Sequence, residues 1–232
     1  MWLYSILLTC SISLPLILSF DNKLQFYKKW KFIFPSILFV ALFYIIGDIY
    51  LTSKGVWGFN SSYHLNLLIA NLPIEEWLFF IIIPYACLFL HESLGLYFPG
   101  LKLNQVLSNT ITVSLILMAV VIIFFYYHRS YTVYIFSLVI IALLLSILDK
   151  TNAIRRYFVS FILILIPFVI VNAILTGSFI HQEVVWYNNQ ENMGIRFLTI
   201  PIEDFGYAFS MILYNLLLIP RIENIIKKIK IR

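Results

Sequence analysis

The sequence predicts an all-α, polytopic integral membrane helical bundle: seven transmembrane helices, arranged as two parallel three-helix repeats joined by a linker helix. Three observations predict it. The 232 residues are 62% hydrophobic and only 12% charged, whereas a soluble domain is nearer half apolar and a quarter charged. Apolar runs of about 20 residues, enough to cross a bilayer, recur at about 1–20, 32–51, 72–90, 106–127, 131–148, 157–176 and 200–220. A short acidic motif, Pro-Ile-Glu-Glu at 73–76, returns as Pro-Ile-Glu-Asp at 201–204.

The first run, "MWLYSILLTCSISLPLILSF", has no basic leader and is of full span length, so it reads as a retained helix and not as a cleaved signal. The segments between runs alternate in charge. With the N-terminus outside, the cytoplasmic segments hold Lys23, Lys28, Lys29 and Lys31, then Lys102, then Lys150, Arg155 and Arg156, then Arg221, Lys227, Lys228, Lys230 and Arg232. These are 13 of the 16 basic residues, and only Lys54, Arg129 and Arg196 fall in outer segments. The positive-inside rule orients the chain N-out and C-in in the cell membrane. The net charge of +5 then reflects cytoplasmic loops and not nucleic-acid binding, and the C-terminal "RIENIIKKIKIR" reads as a basic headgroup anchor. Cys10 and Cys87 both lie in apolar runs and imply no disulfide.

The acidic motifs stand 128 residues apart, and the same offset aligns Phe59-Asn60 with Tyr187-Asn188. An offset of 124 aligns "DIYLT" at 48–52 with "NAILT" at 172–176, so the second loop carries a four-residue insertion. Spans 1–3 and 5–7 are therefore copies of one unit. Three helices are an odd number, and the fourth span restores parity, which makes the copies parallel about an axis near the membrane normal. The expected organisation is a first repeat at 1–100, a linker helix at 101–128 and a second repeat at 129–232. Both acid motifs then lie at one depth, beneath outer loops at about 52–71 and 177–199.

Asn71 is placed to cap the third span and Pro73 to open it, which would make Glu75 and Glu76 first-turn acids facing the helix dipole. Recurrence and apolar flanks point further, because four of only 11 acids sit in these two places. In the last span Glu203, Tyr207, Ser210 and Tyr214 recur at i, i+4, i+7 and i+11, a polar stripe of the kind that faces a bundle interior. Glu75 and Glu203 are thus expected to face inward, with Glu76 and Asp204 beside them and Asp48 and Asn172 as polar support at the ends of spans 2 and 6. A carboxylic acid in a dry pocket resists ionisation and stays available as a proton donor near neutral pH. Trp57, Phe59, Asn60, Phe79, Tyr187, Tyr207 and Tyr214 lie in or near the motif regions, and aromatic faces stabilise nearby cations by about 0.5–2 kcal/mol each. Protonated carboxylic acids, an apolar cavity and aromatic walls suit protonation of an alkene and care of the resulting carbocation.

At these residues the chain resembles the membrane lycopene cyclase domain family. The resemblance rests on "GVWGFN…NLPIEEWLFF" at 55–80 and "WYNN…GIRFLTIPIEDFGYAF" at 186–209, with Pro-x-Glu-[Glu/Asp] in both halves. The second copy departs in having Glu-Asp, and Gly206-Tyr207-Ala208 where the first has Leu78-Phe79-Phe80. The resemblance implies redox-neutral cyclisation of an acyclic carotenoid end group, typically lycopene to a β-ring product. Glu75 and Glu203 become acid/base candidates, and Glu76 and Asp204 the second member of each pair. It implies no flavin or other cofactor, and no G-x-G-x-x-G follows a strand here. The implied partners are a hydrophobic carotenoid and the lipid bilayer, with carotenoid-pathway enzymes or further copies of the chain as companions.

The sequence argues against three other classes. A seven-helix transporter of the 3-1-3 SWEET-like type would line its path mid-bundle, whereas the acids here gather at one end. A retinal protein needs a lysine in the last span, and 200–220 has none. His64, His91, Glu92 and His181 lack ligand spacing for a metal site with the acids, and His91-Glu92 falls at the cytoplasmic end, opposite the motifs.

Overall fold

The computed structural model describes residues 2–231. In it the chain forms helices α1 (Leu3–Leu18), α2 (Trp30–Ser53), α3 (Ile74–Tyr97), α4 (Gln105–Phe125), α5 (Ser130–Ile147), α6 (Ile154–Leu175) and α7 (Ile202–Ile231). A 3-10 turn, Phe26–Lys29, leads into α2. The strands are β1 (Trp57–Phe59), β2 (Leu68–Ile69), β3 (Leu72–Pro73), β4 (Val185–Tyr187), β5 (Arg196–Phe197) and β6 (Ile200–Pro201). Among the described residues, all helices but α1 are long and apolar enough to cross a membrane. Helix α1 has 16 residues, about 24 Å at 1.5 Å per residue.

The short strands are not foreseen by an all-helical reading. They form where the chain doubles back between helices and its backbone groups need partners at the bundle end. β2 pairs with β3, and β5 with β6, through two-residue turns at 70–71 and 198–199. Ala70 and Leu198 both take left-handed backbone, at φ 50° and 56°. Asn71, expected as a helix cap, instead lies in the first of these turns at φ 65°. Pro73 stands just before α3, and no side chain caps that helix. Two helices also outrun their expected ends, because nothing in "HESLGLY" or after Pro220 supplies a stop: α3 continues to Tyr97 and α7 to Ile231.

The remaining ribbon joins the two repeats. β1 and β4 pair antiparallel, Trp57 opposite Tyr187, Gly58 opposite Trp186 and Phe59 opposite Val185. Under the 128-residue offset Gly58 and Trp186 are each other's counterparts, so the pseudo-twofold axis passes through that pair. The flanking bonds obey the same symmetry. Asn60 N donates to Val184 O, and Asn188 N to Val56 O, both at 2.9 Å. Trp186 lies over Gly58 so closely that an added Cβ would stand 2.4 Å from its indole.

Within the repeats, α1 packs along α3 as α5 packs along α7. Helix α4 lies outside, against α5 and α6. Tyr44, Phe80, Tyr131 and Ile135 are fully buried near the ribbon end, and Ile37, Leu88, Tyr157 and Leu213 nearer the basic end. Lipid tails are as apolar as leucine, so packing and interhelical hydrogen bonds hold such a bundle together.

Candidate active site

Each acid pair is held by the same fittings in both halves. Glu75 Oε1 accepts from Ser5 Oγ at 2.9 Å and from Leu65 N at 2.8 Å. Glu203 Oε1 accepts from Thr132 Oγ1 at 2.6 Å and from Met193 N at 2.7 Å. These two carboxyls thus tie the incoming loop and the first helix of each repeat to the start of α3 or α7. The loop turn itself repeats: Asn66 N donates to His64 Nδ1 at 3.0 Å, and Gly194 N to Asn192 Oδ1 at 2.8 Å. Burial lowers the His64 pKa more than nearby Glu75 raises it, which favours the neutral ring, and the bond from Asn66 N makes Nδ1 its acceptor.

The second acid of each pair points elsewhere. Glu76 Oε2 accepts from Tyr4 Oη, and Asp204 Oδ1 from Tyr131 Oη, both at 2.5 Å. Asp204 Oδ2 also accepts from Tyr187 Oη at 3.0 Å. Burial, and then the neighbouring Asp204, push the Tyr187 hydroxyl well above its ordinary range, so it remains a donor. Asp48 Oδ1 accepts from Tyr207 Oη at 2.9 Å. Glu76, Asp204 and Asp48 all line one chamber, whose other walls include Trp57, Phe59, Phe79, Ile83, Phe168, Leu175, Val185, Ala208 and Met211. Among the described residues, no basic side chain lines it.

The chamber straddles the pseudo-twofold axis. Its lining pairs across the repeat as Tyr4 with Tyr131, Glu76 with Asp204, Phe79 with Tyr207, Ile83 with Met211 and Asp48 with Asn172. Its cavity volume is about 60 Å³. Beyond Thr176 and Tyr187 lies a more polar cavity lined by Glu183, Asn189, Arg196 and Thr199.

Glu75 and Glu203 face inward as expected, and the structure divides each pair. All four motif acids are buried, at 8% exposure or less, but Glu75 and Glu203 do not line the chamber whereas Glu76 and Asp204 do. The polar stripe on α7 does face inward, yet it is spent on helix contacts: Glu203 on Thr132, Ser210 on Tyr44, and Tyr214 Oη on Leu138 O at 2.9 Å. The chamber face of α7 is Asp204, Tyr207, Ala208 and Met211, spaced i, i+3, i+4 and i+7, and α3 repeats it with Glu76, Phe79 and Ile83. Trp57, Phe59, Phe79, Tyr187, Tyr207, Asp48 and Asn172 are brought together as expected. Asn60 and Tyr214 are not. Asn60 bonds Gln182 and the backbone of Ser62 in the loop, and Tyr214 bonds the α5 backbone. Tyr4, Tyr131 and Thr176 were not foreseen. Extending the repeat to "YS" at 4–5 and "YT" at 131–132, an offset of 127, would have found the two tyrosines. Among the described residues, no group of three or more His, Cys, Asp or Glu is arranged to hold a metal ion.

With this geometry in place, comparison with known families is decisive. The lycopene cyclase family profile matches residues 1–94 and 128–222. The chain belongs to the lycopene cyclase family. A carotenoid-cyclase type of activity follows from that membership, and the two matched segments cover both acid-bearing repeats while leaving out all of α4. No curated protein and no solved structure matches closely enough to add a nearer relative.

Proposed function

We propose that this lycopene cyclase family member closes a ring on the end group of lycopene or a related acyclic carotenoid, giving a β-ring product. The observation that carries the reading is the joint chamber, in which three carboxyls meet aromatic and aliphatic walls with no lining cation. Burying three anions together with no cation in the chamber wall is costly even with tyrosine donors, so at least one carboxyl carries a proton. Glu76 is the acid: Tyr4 holds Oε2, while Oε1 has no hydrogen-bond partner among the described residues. Its proton adds to the terminal isoprene double bond and leaves a tertiary cation. The next alkene attacks that cation, and the new carbon–carbon bond closes a six-membered ring. A ring proton then passes to a carboxylate, Asp48 or Asp204, and leaves the ring double bond. One proton enters and one departs, so the product is an isomer of the substrate and the reaction as written balances without a redox cofactor. The faces of Trp57, Phe59, Tyr187 and Tyr207 supply the cation with π-density. Glu75 and Glu203 are positioning residues.

The membrane arrangement belongs to the same proposal. Seven spans, with short α1 as the first, put the N-terminus and ribbon end outside and the basic end in the cytoplasm. The units are then 1–100, 101–128 and 129–232. The test is incubation of vesicles carrying the protein with preformed unlabelled lycopene in heavy water, with pigments separated by chromatography and weighed by mass spectrometry. Cyclic products should appear, with one solvent-derived deuterium for each ring closed. Unchanged lycopene, alongside movement of a small solute across vesicles, would favour the transporter class instead.

A further inference from the structure

The pseudo-twofold axis relates two interhelical crevices, and they are not closed alike. On one side α2 lies against α7, fastened by three side-chain bonds spread along its length. Ser36 Oγ donates to Asn215 Oδ1 at 2.9 Å, Tyr44 Oη and Ser210 Oγ stand 2.7 Å apart, and Tyr207 Oη donates to Asp48 at 2.9 Å. On the other side α6 lies against α3, and none of those bonds has its counterpart: Ser160 stands for Ser36, but Cys87 replaces Asn215. Phe168 and Ile82 replace Tyr44 and Ser210, and Asn172 and Phe79 replace Asp48 and Tyr207. The ties that α6 does make lie at its ends. At the basic end His91 Nδ1 and Ser160 Oγ are 2.7 Å apart, and Tyr157 Oη donates to Phe209 O at 2.8 Å. At the ribbon end Thr199 Oγ1 donates to Ala173 O at 3.1 Å. Among the described residues, positions 161–172 of α6 make no hydrogen bond to another element.

Packing follows the same asymmetry. Helix α2 packs along both α3 and α7, whereas α6 meets α7 only narrowly. Between Ile164 and Ala173 no residue of α6 is buried. Pro167 sits in that stretch and removes a helix hydrogen bond there, while the matching α2 position is Phe43. This loose stretch borders the chamber, since Phe168 and Asn172 line it. Phe168 also packs on Phe205 of α7, centroids 5.1 Å apart, and Phe205 on exposed Phe197 at 6.0 Å. A row of rings thus runs from the chamber wall to the apolar surface.

The geometry points to the crevice beside the middle of α6, between α3 and α7, as the lateral opening that takes the polyene tail of the substrate. This rests on the cyclase reading above. The small open volume of the chamber suits an end group, and the rest of a long linear chain must leave through a wall. The crevice against α2 is fastened along its length, and the roof is covered by ribbons. The α6 crevice is unfastened and apolar, and it opens among lipid tails.

The experiment fastens it. Ile82→Cys/Phe168→Cys puts thiols at the counterparts of Ser210 and Tyr44. A short bifunctional methanethiosulfonate joins them in membrane vesicles, and dithiothreitol releases them, with the wild type treated in parallel because it carries Cys10 and Cys87. Ile82→Cys/Val171→Cys is the second pair, used if the first folds poorly. Two readouts are taken: conversion of lycopene, and quenching of tryptophan emission by lycopene, to which Trp57 in the chamber wall contributes. The joined protein should lose both conversion and specific quenching, by about tenfold or more in conversion, and recover both on reduction. A joined protein that binds and converts like its reduced form overturns the opening. Reversible loss of quenching without conversion in any form, wild type included, supports the opening and overturns the cyclase reading. Failure of the wild type to bind lycopene overturns both.

Discussion

The division of roles within the acid pairs gives the most discriminating prediction, because Glu75→Gln and Glu76→Gln change the same chemistry one residue apart. At position 76 the glutamine amide can still accept from Tyr4 through its oxygen, so the fold should survive, but it has no acidic proton to give an alkene. General acid catalysis contributes about 10²–10⁴ in rate, or about 3–5 kcal/mol of barrier, and Glu76→Gln should lose turnover on that scale. At position 75 the oxygen that accepts from Ser5 and Leu65 is likewise retained, and Oε2 is buried with no partner among the described residues. Glu75→Gln should therefore keep turnover within a few fold, on the order of 1 kcal/mol. Glu75→Ala removes the acceptor from a buried backbone N–H and should cost about 1–3 kcal/mol of stability. Single-turnover conversion of lycopene in vesicles, read by chromatography, gives the rates, and thermal unfolding in detergent gives the stabilities. A dead Glu75→Gln beside an active Glu76→Gln would refute the assignment of the chamber-facing acid.

Two further outcomes follow from the fittings around the site. His64 has a folded pKa below its unfolded value of about 6.5, so the unfolded chain binds more protons and stability falls as pH drops below that value. His64→Asn, which copies Asn192, should flatten this acid-side loss in thermal unfolding scanned from pH 7.5 downward, and an unchanged slope would count against the His64–Asn66 turn. Gly58→Ala places a methyl against the Trp186 indole and should cost about 1–3 kcal/mol by overpacking, seen as a lowered Tm. Adding Trp186→Phe should recover part of it.

Much of this architecture is legible in the chain. Apolar runs locate the helices because a bilayer leaves the backbone few alternatives, and the repeat puts both acid motifs at one end. What escaped was rotation. A polar stripe such as Glu203, Tyr207, Ser210 and Tyr214 signals an interior face, but an interior face serves helix fastening as readily as chemistry, and only three-dimensional neighbours such as Thr132 and Tyr44 separate the two. Tyr4 and Tyr131 sit at the very start of apolar helices, where an aromatic residue reads as an interfacial anchor. The ribbons escaped because strands of two or three residues carry no periodicity to read.

The glycine facing the indole across the axis governs how halves recognise each other. Two first halves would meet glycine to glycine, with a hole where a ring should be; two second halves would force a pair of indoles into room for one. Unlike halves place one ring in the one gap, so the two copies of the repeat have diverged into complementary surfaces.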